Sequence, residues 1–263
     1  MDRRVTLLSA AIAIVGLGSA PAATGAVDAR LQGQFAMKGK ITRADNVKGE
    51  HKGQTVKRKW RFKATCAPGA FCNSVFLRRE RAKHRVDKLT LTRTGVGTYS
   101  GHGRFYFSLR CAGRVYKHGG EAKFKITVVI TKATTIQTEP FATNVTARYS
   151  NAHRINHTEC GGDLGRDGAS YTGKVKSLPG PPAADFDASP GANHTVAFTD
   201  RSTRGAGNSP IAKRRWDFGD GSSSSERNPS HRYAAPGAYT VTLTVTDQNG
   251  LTDMVSKPIT VAR

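Results

Sequence analysis

A short aromatic motif, with the strand pattern that follows it, constrains the C-terminal third of this 263-residue chain more than any other feature. The motif reads Trp-Asp-Phe-Gly-Asp-Gly, so Trp216 and Phe218 fall on one side of a strand that a tight Asp-Gly turn ends. A second turn follows at Pro236-Gly237, and apolar residues then alternate with threonine over residues 239–246. This strict alternation predicts a half-buried β-strand.

Over residues 181–261 the pattern resembles a PKD domain, a small immunoglobulin-like β-sandwich. The residues that carry the resemblance are Trp216, Asp217, Phe218, Gly219, Asp220, Gly221, Pro236, Gly237 and Tyr239. The resemblance implies that Trp216 fills the space between two sheets, with Phe186 and Phe198 pointing inward from the first two strands. It also implies an extracellular spacer or a module that binds protein or carbohydrate, and it names no ligand.

The N-terminal end has the layout of a secretory signal peptide. Two arginines precede a short apolar run at residues 5–17, and small residues follow the run. The layout predicts cleavage after Ala22 or Ala26, so we expect residues 1–26 to be removed from a secreted protein. The apolar run is shorter than the roughly 20 residues that a membrane-spanning helix needs, and no transmembrane segment is expected in the mature chain.

Charge divides the rest of the chain into two parts. Residues 27–178 contain 30 Lys and Arg against 10 Asp and Glu, a net charge of +20, whereas residues 179–263 contain 9 against 8. A proline-rich stretch at residues 179–182 lies between them and predicts a short, stiff linker. We therefore expect a basic N-terminal domain, followed by a nearly neutral sandwich over residues 183–263.

Period-two alternation predicts that the basic domain is also all-β. Within residues 55–64 it places Arg58, Trp60 and Phe62 on one face and four cations on the other. Further strands are predicted at residues 34–40, 74–79, 86–92, 104–111, 122–130, 145–149 and 171–175. About eight strands with one wet face indicate an antiparallel β-barrel or sandwich, and the pattern leaves the strand order open.

Two basic runs are close enough in sequence to lie on adjacent strands, where their charges would repel one another and attract polyanions. The candidate polyanion-binding residues are Lys57, Lys59, Arg61, Lys63, Arg78, Arg79, Arg81, Lys83 and Arg85. The expected partners are an extracellular protein or polysaccharide, such as an anionic cell-wall polymer. No nucleic-acid-reading motif is present, and export argues against nucleic acid as the normal partner. An arginine-rich proteome or a requirement for solubility is the alternative source of the charge.

All four cysteines lie in the basic domain, at Cys66, Cys72, Cys111 and Cys160. An even count in an exported chain favours disulfides, for which three connectivities exist. We expect Cys66 to pair with Cys72 across a tight turn, and Cys111 to pair with Cys160 between distant strands.

Metal sites are the alternative use of several residues. His153, His157 and Cys160 have a ligand-like spacing, but the two histidines share a face only in a helix, and the expected disulfide occupies Cys160. In the C-terminal domain, aspartates invite a calcium hypothesis, although two of them fall in hairpin turns. The six are Asp185, Asp187, Asp217, Asp220, Asp247 and Asp253. We expect no cofactor, with structural calcium as the alternative.

The sequence contains no nucleophile elbow and no phosphate-binding glycine loop. We therefore expect a non-catalytic binding or adhesion protein. A secreted hydrolase is one alternative, if the acidic group Glu159, Asp163 and Asp167 converges with a histidine. A small-ligand carrier is the other, if the strands enclose an apolar cavity. The residues expected to line such a cavity are Trp60, Phe62, Phe105, Phe107 and Phe124.

Overall fold

The computed structural model describes residues 25–47, 49–69, 72–81 and 85–262, in which fifteen β-strands and no helix are found. The strands of the N-terminal unit are β1 (Gly33–Asp45), β2 (Thr55–Ala64), β3 (Ser74–Glu80), β4 (Val86–Gly95), β5 (Thr98–Cys111), β6 (Arg114–Ile136), β7 (Glu139–Asn156) and β8 (Arg166–Val175). Those of the C-terminal unit are β9 (Phe186–Pro190), β10 (Thr195–Asp200), β11 (Ile211–Asp217), β12 (Ser223–Ser224), β13 (Ser230–Arg232), β14 (Gly237–Asp247) and β15 (Thr252–Val261). The expected signal peptide lies outside the described residues except for its last two positions.

The eight N-terminal strands form one closed antiparallel sheet. Each strand pairs with the next in sequence, and β8 pairs with β1 through the register Phe35↔Val175 to Asp45↔Arg166. The sheet therefore closes on itself with the strand pairing of an up-and-down barrel. Each of the eight segments predicted from alternation lies within one of these strands.

Alternate side chains of the closed sheet point inward and form its core. Trp60 and Phe62 on β2 are 1% exposed, and Leu77 on β3 and Ile126 on β6 are fully buried. The intervening positions face solvent, as the period of two residues per repeat in a strand requires. The closed sheet therefore has a hydrophobic interior and a solvent-exposed exterior, as the alternation predicts.

Connections between antiparallel strands alternate between the two ends of the closed sheet. We call the end with the β1–β2, β3–β4, β5–β6 and β7–β8 connections the mouth, and the opposite end the base. The C-terminal unit contacts the base. The Gln137 side chain exchanges two hydrogen bonds with the backbone of Thr252, at 2.7 and 2.9 Å. Arg30 donates to the carbonyls of Cys66 at 3.1 Å and Gln248 at 3.4 Å.

The C-terminal unit is a sandwich of a three-stranded sheet, ordered β13-β10-β9, and a four-stranded sheet, ordered β12-β11-β14-β15. Trp216 is fully buried between them, with its ring centroid 5.2 Å from Phe186 and 5.5 Å from Phe198. This confirms the three inward positions that the resemblance implies. The proline-rich segment packs on the sandwich, since Gly180 donates to the Ala206 carbonyl at 2.9 Å.

Two disulfides hold the connections of the closed sheet. Cys66 pairs with Cys72 between β2 and β3, and Cys111 at the end of β5 pairs with Cys160 after β7. The expected connectivity is confirmed. No helix in the described part of the chain has the length and apolar character needed to cross a bilayer.

Candidate functional site

Four cations of β2 form the centre of a positively charged outer surface. Lys57, Lys59, Arg61 and Lys63 occupy alternate positions of the strand and all four are exposed. They face outward because the alternate residues Trp60 and Phe62 are buried inside the sheet and Arg58 is half-buried. The division of β2 into an apolar inner and a cationic outer face is therefore confirmed.

Cations on neighbouring strands extend this surface. Arg61 lies directly opposite Arg78 of β3, and Arg78 lies directly opposite Lys88 of β4. On the other side of β2, Lys57 lies opposite Lys38 of β1. We call this surface the outer cationic face, and its exposed members are Lys38, Lys40, Lys57, Lys59, Arg61, Lys63, Arg78, Lys88 and Lys174.

Acidic side chains are nearly absent from the outer cationic face. On the described outward positions of β1 to β4 and β8, acids occur only at strand ends, at Asp45 and Glu80. Asp45 is already paired with Arg43. The face therefore produces a continuous positive potential rather than a mixture of ion pairs.

Not every predicted polyanion-binding residue lies on this face. Arg79 is 4% exposed and points inward, where its Nε lies 2.8 Å from Asp87. Arg81 also pairs with Asp87 at 2.8 Å, and its guanidinium lies over the ring of Phe105. The placement of these two arginines on a common outer face was wrong, because inward alternation and an acidic partner hold them inside. Lys83 lies outside the described residues.

A pocket of about 270 Å³ opens at the mouth. Its walls are partly aromatic, with the rings of Trp60 and Tyr171 centred 5.0 Å apart and those of Phe105 and Phe107 centred 6.3 Å apart. The charged residues that line it are Glu50, Arg58, Arg79, Glu80, Arg81, Arg85, Arg154 and Asp167. Of the residues expected to line a cavity, Trp60, Phe105 and Phe107 do so, whereas Phe62 and Phe124 belong to the filled core.

Several charges of the mouth neutralise one another. Arg154 donates to Asp167 at 2.6 Å, and both side chains are about one-tenth exposed. Arg79 lies over the ring of Tyr149 at 4.3 Å in addition to its pairing with Asp87. One signal of this arrangement is visible in the sequence, because Arg79 and Asp87 interrupt otherwise apolar series of inward residues on β3 and β4.

Burial at the mouth shifts the pKa values of several groups and keeps two tyrosine hydroxyls protonated as hydrogen-bond donors. Burial raises the pKa of Tyr149 and of Tyr171, so both phenols keep their protons. Burial, followed by the negative charge of Asp167, raises the pKa of Glu50. Burial also lowers the pKa of Arg81, an effect that the neighbouring Asp87 opposes.

The three acids considered for hydrolysis have different surroundings. Glu159 is exposed and accepts a hydrogen bond from the Tyr116 hydroxyl at 2.7 Å. Asp163 accepts from the backbone N–H of Gly165 at 2.9 Å, whereas Asp167 is held by Arg154 in the mouth. The structure does not gather these three carboxylates around a common partner.

The metal-ligand spacing after residue 153 does not assemble a site. Cys160 is in a disulfide, and the Nε2 atom of His157 lies 3.2 Å from a carboxylate oxygen of Glu121. His153 lies on strand β7 rather than on a helix. In the parts of the chain that the structure describes, no group of three or more His, Cys, Asp or Glu side chains could hold a metal ion.

The six calcium candidates bond to separate local partners. Asp185 pairs with Lys257, Asp187 with Arg201 and Asp220 with His231. The other three accept backbone hydrogen bonds: Asp217 from Gly219, Asp247 from Asn249 and Leu251, and Asp253 from Ala184. These interactions give each aspartate a role in a turn or an ion pair.

The aromatic motif of the C-terminal unit is held by specific hydrogen bonds. The indole N–H of Trp216 donates to the Glu226 carbonyl at 2.9 Å, and the Tyr233 hydroxyl donates to the Phe218 carbonyl at 3.1 Å. Gly219 has φ of 80°, and a Cβ there would lie 2.5 Å from the Thr240 carbonyl oxygen. The motif therefore requires glycine at this position for both its backbone conformation and its close packing.

The sequence profile of the PKD domain family matches residues 179–262, which include the buried tryptophan and both turns described above. Residues 179–262 are a PKD domain. The match begins at the proline-rich segment, in agreement with the packing of that segment on the sandwich, and it does not include the closed sheet.

Curated relatives match only a short part of the chain. It is 42% identical over 55 residues to the microbial collagenase of Vibrio alginolyticus, and 38% identical over 69 residues to collagenase ColA of Bacillus cereus. These alignments cover 21% and 26% of this chain but only 7% of either relative. Among solved structures, the PKD1 domain of Vibrio anguillarum Epp is similar, with 33% identity, coverage of 32% of this chain and 96% of that domain, and a TM-score of 0.30.

Proposed function

We propose that this protein is exported and binds an anionic polymer outside the cell through its outer cationic face, without catalysing a reaction. The observation that carries the proposal is the direct opposition of like charges in the pairs Arg61–Arg78, Arg78–Lys88 and Lys38–Lys57. Like charges directly opposite one another destabilise a sheet. Closely spaced negative charges on a polymer would relieve this repulsion, because each polymer segment could contact several cations at once.

The PKD domain gives the proposal its extracellular setting. The relatives that this chain matches are bacterial collagenases and a metalloprotease, and PKD domains are spacers or modules that bind protein or carbohydrate. In this protein the PKD domain contacts the base of the closed sheet. It would therefore hold the sheet away from an attachment point while leaving the outer cationic face accessible.

The test compares two variants that lose the same charge. One replaces Lys57, Lys59, Arg61 and Lys63 with Gln; its control replaces four exposed cations of the PKD domain, Lys213, Arg215, Arg227 and Arg232, with Gln. Elution from heparin resin and binding to labelled dextran sulfate are measured against neutral dextran. We expect the first variant to elute at clearly lower salt than the wild-type protein, and the control to elute close to it. An equal reduction in both would show that net charge alone attracts the polymer, and the proposal would be wrong.

Export is tested separately by N-terminal sequencing of protein collected from the culture medium. A chain that begins at residue 23 or residue 27 is the expected result. Protein retained in the cell with residues 1–26 intact contradicts export, even if the outer cationic face binds heparin.

A further inference from the structure

The mouth of the closed sheet differs chemically from the rest of its interior. Toward the mouth, four strands each carry a charged side chain among their inward positions: Arg58 on β2, Arg79 on β3, Asp87 on β4 and Asp167 on β8. Because β1 pairs with β8, these strands belong to one continuous wall. The mouth is therefore a polar layer above an apolar core.

Arg58 is the charge in this layer that lacks an acidic partner. Its Nη1 atom donates to the Lys57 carbonyl at 3.0 Å, and no described carboxylate forms an ion pair with it. Glu50 also lines the pocket, and the charge of Arg58 acts to lower its pKa, but burial and the charge of Asp167 outweigh this effect and raise that pKa. Glu50 is therefore a weak counter-charge for Arg58. Arg58 is half-buried as a residue, and the planar fork of its guanidinium matches the two oxygens of a carboxylate.

Further buried donors in the mouth also lack acceptors. The indole Nε1 of Trp60 and the Nε of Arg154 are buried, and neither donates to a hydrogen-bond acceptor within the described ranges. The Tyr171 phenol stays protonated because burial raises its pKa. Buried donors in folded proteins almost always have partners, so this pocket favours a ligand rich in acceptors.

Aromatic walls define the rest of the ligand. Trp60 and Tyr171 lie on one part of the pocket, and Phe105 and Phe107 lie on another. The volume of about 270 Å³ is close to the lower limit of roughly 300 Å³ for ligand pockets. We propose that the mouth binds a small organic carboxylate with a flat aromatic group, with its carboxylate on Arg58 and its ring against these walls.

Adjacent residues of β2 provide a matched test. Arg58→Gln removes one positive charge from the mouth, and Lys59→Gln removes one from the outer cationic face. Calorimetry with 2-naphthoate, and with uncharged 2-naphthamide, measures binding to the full chain. We expect the wild-type protein to bind one 2-naphthoate, and Arg58→Gln to weaken binding roughly tenfold to a hundredfold, as the loss of a charge-assisted hydrogen bond requires. Lys59→Gln should change it less than about twofold, because an exposed charge contributes little.

Three results would overturn the proposal: no binding of 2-naphthoate at millimolar concentration, equal affinity for the amide, or equal losses in the two variants. Arg58→Lys is the control for misfolding, because it retains the positive charge. It should bind 2-naphthoate more tightly than Arg58→Gln does, at an unchanged melting temperature. The site is independent of polymer binding. Lys59→Gln should weaken heparin binding while sparing 2-naphthoate, and Arg58→Gln should do the reverse.

Discussion

The closed sheet and the PKD domain are both all-β, but they treat buried polar groups differently. In the PKD domain the core is aromatic and complete, and the buried Trp216 and Tyr233 both donate hydrogen bonds to backbone carbonyls. In the closed sheet, buried polar atoms of Trp60, Asn151 and Arg154 have no hydrogen bond, whereas the described part of the PKD domain contains no such atom. The comparison indicates that the PKD domain is built for stability and that the mouth retains binding capacity at some cost in stability.

The largest expected effect tests whether the two units unfold separately. Trp216→Ala should destabilise the PKD domain by about 3–5 kcal/mol, because it empties the centre of a fully buried aromatic cluster. The chain has two tryptophans, so fluorescence of this variant reports only on Trp60 in the closed sheet. Urea unfolding should show the Trp60 transition near its wild-type position. Circular dichroism follows the loss of PKD structure. If the Trp60 transition shifts together with that loss, the two units unfold as one cooperative unit.

A second pair of variants sharpens the contrast between the inside and the outside of one strand. Arg79→Ala should cost about 3 kcal/mol, since it removes a buried partner of Asp87 and leaves only Arg81 beside that carboxylate. Arg78→Ala, one residue away and exposed, should change stability by less than about 0.5 kcal/mol and weaken heparin binding instead. Denaturant unfolding and heparin elution measure the two properties. Similar stability losses in both variants would contradict the inward placement of Arg79.

The smallest expected effect concerns acid stability of the PKD domain. Burial alone would raise the pKa of Asp200, but hydrogen bonds from Ser202 and Arg214 outweigh it, and the pKa lies below its usual value of 3.8. A lowered pKa adds stability above that usual value, and this stability is lost as the pH falls through the lower pKa of the folded state.

The stability of the PKD domain should therefore decrease less steeply in Asp200→Asn than in the wild-type protein as the pH falls below about 4. Asp187→Asn is the control, because Asp187 forms an exposed ion pair with Arg201 that contributes little. Melting temperatures measured across the acid range provide the comparison. Equal slopes for Asp200→Asn and the wild-type protein would exclude the Asp200–Arg214 contact as a source of acid sensitivity.

Local patterns predicted much of this fold. Alternation placed β2 at residues 55–64, in agreement with the observed strand, and it separated Trp60 from Lys59 correctly. It underestimated β6 and β7, which extend to 23 and 18 residues, because register shifts between the two strands, such as that between Ile130 and Lys132, interrupt the regular pattern. The PKD motif also predicted its own turn and core tryptophan, since glycine and tryptophan have specific steric requirements there.

The candidate site in the mouth could not be predicted in the same way. Arg79 and Arg81 belong to a basic run in the sequence, and only the fold shows that Asp87 pairs with both of them. The approach of Arg154 to Asp167 likewise depends on the pairing of β7 with β8. Cation type and spacing do not reveal which face of a closed sheet a charge occupies near a strand end.

The sequence by itself determined the positions of the N-terminal strands, the alternation along them and the PKD domain, because these depend on residues close together or on strict alternation. The tertiary structure decided that β8 pairs with β1, that the PKD domain contacts the base, and that Arg58 lines the pocket at the mouth without an acidic partner. The physical reason is that sheet closure and strand register bring together residues far apart in sequence. No local pattern specifies such a contact.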